Sequence, residues 1–174
     1  MLNNVKRVFK KELTKEQIIN FVLDLAEHSW IKENQYAQAH MTDFLERLPR
    51  KVLHKVFIEK TTLLVRSSGR FACSVSTVHQ NVIIIFPEVY ELLTKTFDGW
   101  AKAVLAHEIG HNYLEHAELK IEDPMEAQVD ADTFACEMGY LDQIEAFLHD
   151  QPESIEKRVR LSFVTSYYFN NLDH

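Results

Sequence analysis

The chain has 174 residues and a formal net charge of −7, with 46% hydrophobic residues, 26% charged residues, and only four glycines and four prolines. That length fits one domain with a sizeable core, and the scarcity of Gly and Pro leaves little material for linkers or low-complexity tracts. The acidic balance argues against a general electrostatic footprint for nucleic acid, and no stretch has the length of a signal-peptide core or a bilayer span. A cytoplasmic protein with no nucleic-acid and no membrane partner is therefore expected. The two cysteines, Cys73 and Cys136, lie in no Cys-x-x-Cys motif and read as small buried hydrophobes.

Near the start, Lys6, Arg7, Lys10, Lys11 and Lys15 form a basic cluster that reads as a solvated helix face. Thr14 followed by Gln17 has the pattern of a capping box and predicts a helix to about residue 30, with Ile18, Phe21, Val22 and Leu25 at helical spacing. A second helix is expected over 36–48, stopped by Pro49. The period then changes: 56–58, 63–65, 71–78 and 82–86 are rich in β-branched and aromatic residues and predict three or four strands. Turn-forming residues at 67–70 and 79–81 imply that at least part of this sheet is antiparallel. Pro87 opens a helix to about residue 97, and Asp98 is placed to cap the next one.

That next helix carries His107-Glu108-Ile109-Gly110-His111. Residues four apart share a helix face, so His107 and His111 can bind one metal ion, and His-Glu-x-x-His is the pattern of zinc hydrolases. Glu108 is positioned to accept a proton from the attacking water. The surrounding Trp100, Ala103, Val104, Ala106, Ile109 and Leu114 are apolar, a setting in which a polar His-Glu-His set is costly without a role. His116 reads as a helix-end histidine, because five residues rotate it away from His111 and no glycine in 112–115 breaks the helix.

A catalytic zinc usually takes three protein ligands and keeps one open position. After a polar connection over 118–123, Asp123 and Pro124 have the N-cap and first-turn pattern of a further helix, on which Glu126 and Asp130 share a face. Glu126 is expected to ligate the metal and Asp130 to support an imidazole, with Asp130 and Asp132 as reserve ligands. Gly139 reads as a helix C-cap, followed by a short helix from residue 142 and a long one over 152–169. Tyr113, Tyr167, Tyr168 and His79 have the right chemistry to stabilise an oxyanion, although Tyr167 and Tyr168 sit at core spacing. Helices, a sheet, then helices give an α+β fold.

Over residues 103–140, about a quarter of the chain, these motifs resemble the gluzincin metallopeptidases, most closely the small cytosolic members and minigluzincins. The features shared are His-Glu-x-x-His on one helix, then Glu126-x-x-x-Asp130, Phe134-Ala135 and Gly139 on the next. The resemblance implies Zn2+ held by His107, His111 and Glu126, with Glu108 as general base. It also implies a single zincin-like domain over 1–174: N-terminal helices, a small, mostly antiparallel sheet of three to four strands, an active-site helix and C-terminal helices. Family members usually read Glu-x-x-Ala-Asp-x-Phe-Ala, a register that puts Gln128 rather than Glu126 at the ligand position. Glutamine is a poor zinc ligand, and this favours Glu126 on chemical grounds.

In zincins the sheet edge beside the active helix pairs with an extended peptide, which makes the strand around 71–77 the expected docking edge for a peptide or protein substrate. The alternatives are a zinc-binding but latent domain, plugged by the Cys73 region, Asp173 or His174, and a regulatory module without catalysis. Oligomeric state is left open.

Overall fold

The computed structural model describes residues 13–66, 72–76 (backbone only), 80–117 and 123–170. Helix α1 (Lys15–Asp24) opens as expected: Thr14 Oγ1 accepts from the Gln17 N–H at 3.2 Å, and Gln17 Oε1 accepts from the Thr14 N–H at 2.9 Å. It ends earlier than the periodicity predicts, giving way to a 3-10 turn (Ala26–His28) and the short α2 (Ser29–Lys32). The turn places His28, which is fully buried, between two backbone groups. Its Nδ1 lies 2.6 Å from the Val22 carbonyl, and its Nε2 accepts from the Leu64 N–H at 2.8 Å. Asn34 caps α3 (Gln35–Arg47), which buries Ala37, Met41, Phe44 and Leu45.

Helix α4 (Arg50–Leu53) runs directly into a π-helical stretch, His54–Glu59. The strand expected over 56–58 is therefore corrected. Val56 and Phe57 are buried as an apolar strand would be, but they sit on a helical turn, and a short apolar run does not discriminate between the two. Three strands follow: β1 (Thr61–Arg66), β2 (Ala72–Ser76) and β3 (Gln80–Ile85), in the order β1-β3-β2. β1 pairs with β3 in parallel, Thr61 opposite Gln80, while β2 pairs with β3 antiparallel, Val75 opposite Val82. The sheet is thus mixed rather than mostly antiparallel. The expected turn at 67–70 lies outside the described residues, and Gln80 and Asn81, assigned to a second turn, already belong to β3.

Helix α5 (Pro87–Leu93) begins at the proline, as predicted, and ends sooner than residue 97. Then come α6 (Ala101–Leu114), α7 (Pro124–Glu137), α8 (Leu141–Asp150) and α9 (Ile155–Asn170). α7 starts with Asp123 accepting from the Met125 N–H at 2.9 Å. It ends at Gly139, whose φ of 86° lets the Tyr140 N–H reach the Ala135 carbonyl at 3.1 Å and the Gly139 N–H reach Cys136 at 2.9 Å. The described chain is mostly helical, with α6 at its centre, packed against α5, α7, α8 and β2. No described helix is long and apolar enough to cross a membrane.

Candidate metal centre

α6 is buried around nearly its whole circumference, from Ala101 through Asn112. Such burial explains its alanines and aliphatics but not the polar His107 and Glu108, which are 7% and 9% exposed. Its start differs from expectation. Asp98 contributes its carbonyl to the Ala101 N–H at 3.0 Å, while its carboxylate pairs with Lys102 at 3.2 Å instead of capping the helix. Gly110, one turn after His107, sets how near α7 can come. A Cβ there would lie 3.1 Å from Phe134 Cβ and 3.2 Å from its ring, so any larger residue would push Phe134 back by a few tenths of an ångström.

The approach brings α7 close enough for a short carboxylate to reach the α6 imidazoles. Asp132 Oδ1 accepts from His107 Nδ1–H at 2.8 Å. The same carboxylate takes two hydrogen bonds from Arg160 of α9, Nε to Oδ2 at 2.7 Å and Nη2 to Oδ1 at 2.8 Å, and Arg160 also reaches Glu156 at 3.2 Å. Burial pushes the Asp132 carboxyl up, but the hydrogen bonds from Arg160 and His107 outweigh it and hold it below the usual range. An ionised Asp132 fixes the His107 proton on Nδ1 and leaves the Nε2 lone pair free.

That lone pair faces His111. The two Nε2 atoms are 3.1 Å apart, with the rings edge to face at 82°. Two nitrogens bound at about 2.0–2.1 Å to a tetrahedral ion lie about 3.3 Å apart, so the pair has the spacing of two ligands to one metal. Burial, together with His107, His116 and Arg160, lowers the His111 imidazole to about 3.

His116, expected as a solvated helix end, is folded back onto the site. Glu115 takes a left-handed conformation at φ 63°, which ends α6 and sends the N–H groups of both Glu115 and His116 to the His111 carbonyl. The His116 side chain is 7% exposed, and its Nδ1 lies 2.8 Å from His111 Nδ1. The Glu115 carboxylate, held below its usual range by Lys55 and Lys60, is 3.3 Å from each ammonium. Lys55 lies in the π-helical stretch and Lys60 directly follows it, so a remote element steadies a backbone turn that the local sequence, lacking glycine, does not announce.

Asp130 is half of a different contact from the one expected. It is exposed on α7, 3.8 Å from His116 Nε2, and the carboxylate on a pair imidazole is Asp132. Glu126 is exposed in the first turn of α7. Six residues before Asp132, it is rotated about 120° from it around the helix, whereas half-buried Gln128 lies one turn before Asp132 on the same face. Among the described residues, no group of three His, Cys, Asp or Glu side chains converges on a metal position.

Of the oxyanion candidates, Tyr113 lies tilted against Phe134, Tyr167 packs on Phe163, and Tyr168 is exposed beside Phe169. His79 lies outside the described residues, as do Asp173, His174 and the Cys73 side chain. Cys136 is buried, as expected, and burial pushes its thiol up to about 12. Sequence reasoning missed Arg160, for which no local signal exists, and the folded-back His116. Comparison of the chain with protein-family models, curated proteins and solved structures returns no match.

Proposed function

We propose that the chain is a zinc-dependent metallopeptidase of the gluzincin class, with a zincin-like arrangement of helices and sheet. In this reading His107 and His111 hold the ion through Nε2, and Glu108 is the general base. The observation that carries it is the imidazole pair, two Nε2 atoms 3.1 Å apart with each ring's Nδ1 engaged from behind. When bound, zinc supplies Lewis acidity toward a carbonyl and makes water easier to deprotonate. Glu108 accepts the proton of the attacking water on its carboxylate and passes it to the leaving amide nitrogen. Arg160 acts through Asp132 by keeping His107 in the tautomer that can ligate.

β2 supplies the docking edge for an extended peptide. It is an edge strand that packs beside α6, and its outer main-chain groups suit strand addition. The net charge of −7 favours encounter with basic segments, in a cytoplasmic setting. For the third protein donor, helix phase favours the side-chain carbonyl of Gln128 over Glu126. A neutral amide is a weaker donor than a carboxylate, so the site is expected to hold zinc loosely.

Metal content, then cleavage of a peptide library, test this. Zinc near one per chain, lost in His107→Ala, tightened by Gln128→Glu and indifferent to Glu126→Ala, supports the centre; loss in Glu126→Ala with retention in Gln128→Ala returns the ligand role to Glu126. Glu108→Gln should keep zinc and abolish cleavage. Zinc binding without cleavage by the wild type would favour a second reading, a metal-binding regulatory module, for which the neutral Gln128 is the supporting observation.

A further inference from the structure

The imidazole pair is supported unequally. His107 is backed by a carboxylate that Arg160 anchors, whereas His111 has behind it only another imidazole, His116 Nδ1 at 2.8 Å. Two Nδ1 atoms at that distance share one proton, so one ring donates and the other accepts. The rings meet edge to face, 4.9 Å between centroids, and the His116 side chain is almost wholly enclosed. Nothing about helix geometry requires this contact: on a continuous α6, His116 would point elsewhere, and only the left-handed Glu115 brings it back.

We infer that His116 is a positioning residue for His111: it accepts the His111 Nδ1–H, and so leaves the His111 Nε2 lone pair aimed at the same point as that of His107. The inference rests on the metal-centre reading above and deepens it. The proton on His116 itself must then sit on Nε2, the nitrogen that faces the Asp130 carboxylate at 3.8 Å. Asp130 thus stands one residue further from the pair than first expected, behind His116. The competing arrangement is also defined: His111 could instead carry its proton on Nε2 and donate to His107 Nε2 at 3.1 Å, which would occupy both lone pairs in the absence of metal. His116 selects against it by offering the shorter contact.

The test uses the full chain and two variants. His116→Leu removes the acceptor; His116→Asn keeps one, since Asn Oδ1 falls near the position of ring Nδ1. Long-range 1H–15N correlation of the histidine rings in the metal-free protein reads the tautomer, and zinc competition titration reads affinity. The expected result is His111 protonated on Nδ1 in the wild type and in His116→Asn, and shifted toward Nε2 in His116→Leu. Zinc affinity should fall about 10–100-fold in His116→Leu and recover to within about threefold in His116→Asn.

The inference is overturned if wild-type His111 carries its proton on Nε2, if His116→Leu changes neither tautomer nor affinity, or if His116→Asn is as weak as His116→Leu. A wild type that takes up no zinc but shows the expected tautomer change would sink the metal reading and leave the positioning role standing.

Discussion

Two regions of the molecule bury histidines, and they do so to opposite ends. His28, in the N-terminal scaffold, uses both ring nitrogens on the backbone, joining the end of α1 to β1 through Val22 and Leu64. His107 and His111, in the centre of α6, use only Nδ1 on partners and turn their Nε2 atoms toward each other. Burial alone therefore says little about a histidine's role; the accounting of its two nitrogens says much more. A ring with both nitrogens satisfied by main chain is a strut; in the function proposed above, a pair whose Nε2 atoms face each other is a receptor for a cation.

The largest expected effect falls on the receptor's support. Arg160→Met should destabilise the protein by about 3–5 kcal/mol in chemical denaturation, because it leaves Asp132, 0% exposed, as an unpaired buried charge. His28→Leu should cost about 2–4 kcal/mol, since each backbone group left without a partner costs about 1–3 kcal/mol. Saturating zinc separates the two regions: at a hundredfold excess over Kd it should add about 2.7 kcal/mol to the wild type and to His28→Leu alike, but nothing to His111→Leu. Acid probes the strut. Burial lowers the His28 pKa from 6.5 despite its bond to Val22, so below that value the unfolded chain binds the proton and the folded one resists it. Its share of stability is full above pH 6.5 and is lost as pH falls from there toward the lowered value; His28→Leu should flatten that part of the stability profile.

Smaller effects sharpen the geometry of the receptor. Gly110→Ala sets overpacking of about 1–3 kcal/mol against a helix-propensity gain of up to about 1 kcal/mol. The net expectation is a lower melting temperature and weaker zinc binding, as α7 moves off and Asp132 retreats from His107. Glu115→Gly should be the mildest. It relieves about 1 kcal/mol of left-handed strain and loses only partly exposed ion pairs, so the melting temperature should hold or rise slightly. Zinc affinity should nevertheless fall, because the turn that returns His116 is no longer pinned by Lys55 and Lys60.

What the sequence made legible was local. The Thr14 capping box and the Asp123-Pro124 start and Gly139 stop of α7 rest on contacts within a few residues, and the strands near 63, 72 and 82 on local runs of β-branched and aromatic residues. The helix that carries His107, Glu108 and His111 was legible for the same reason. The rest depends on partners distant in the chain. Whether Asp130 or Asp132 meets His107 is a matter of helix phase, decided by how Gly110 seats Phe134, and both carboxylates lie on plausible faces of the isolated helix. Val56 and Phe57 read as strand because burial, not period, dictated their types. The parallel pairing of β1 with β3 has no turn signature, and the return of His116 depends on lysines about sixty residues earlier that hold a non-glycine residue at positive φ.

The enclosure of α6 has a consequence for how the protein breathes. The buried stretch from Ala103 to Gly110 is packed among α5, α7, α8 and β2, so small openings should leave its amide protons protected, and they should exchange with solvent only when the domain comes apart. The imidazole pair thus belongs to the last part of the molecule to loosen. A cation seated there would be released either through the mouth of the site or by loss of the fold, with no partly unravelled state in between.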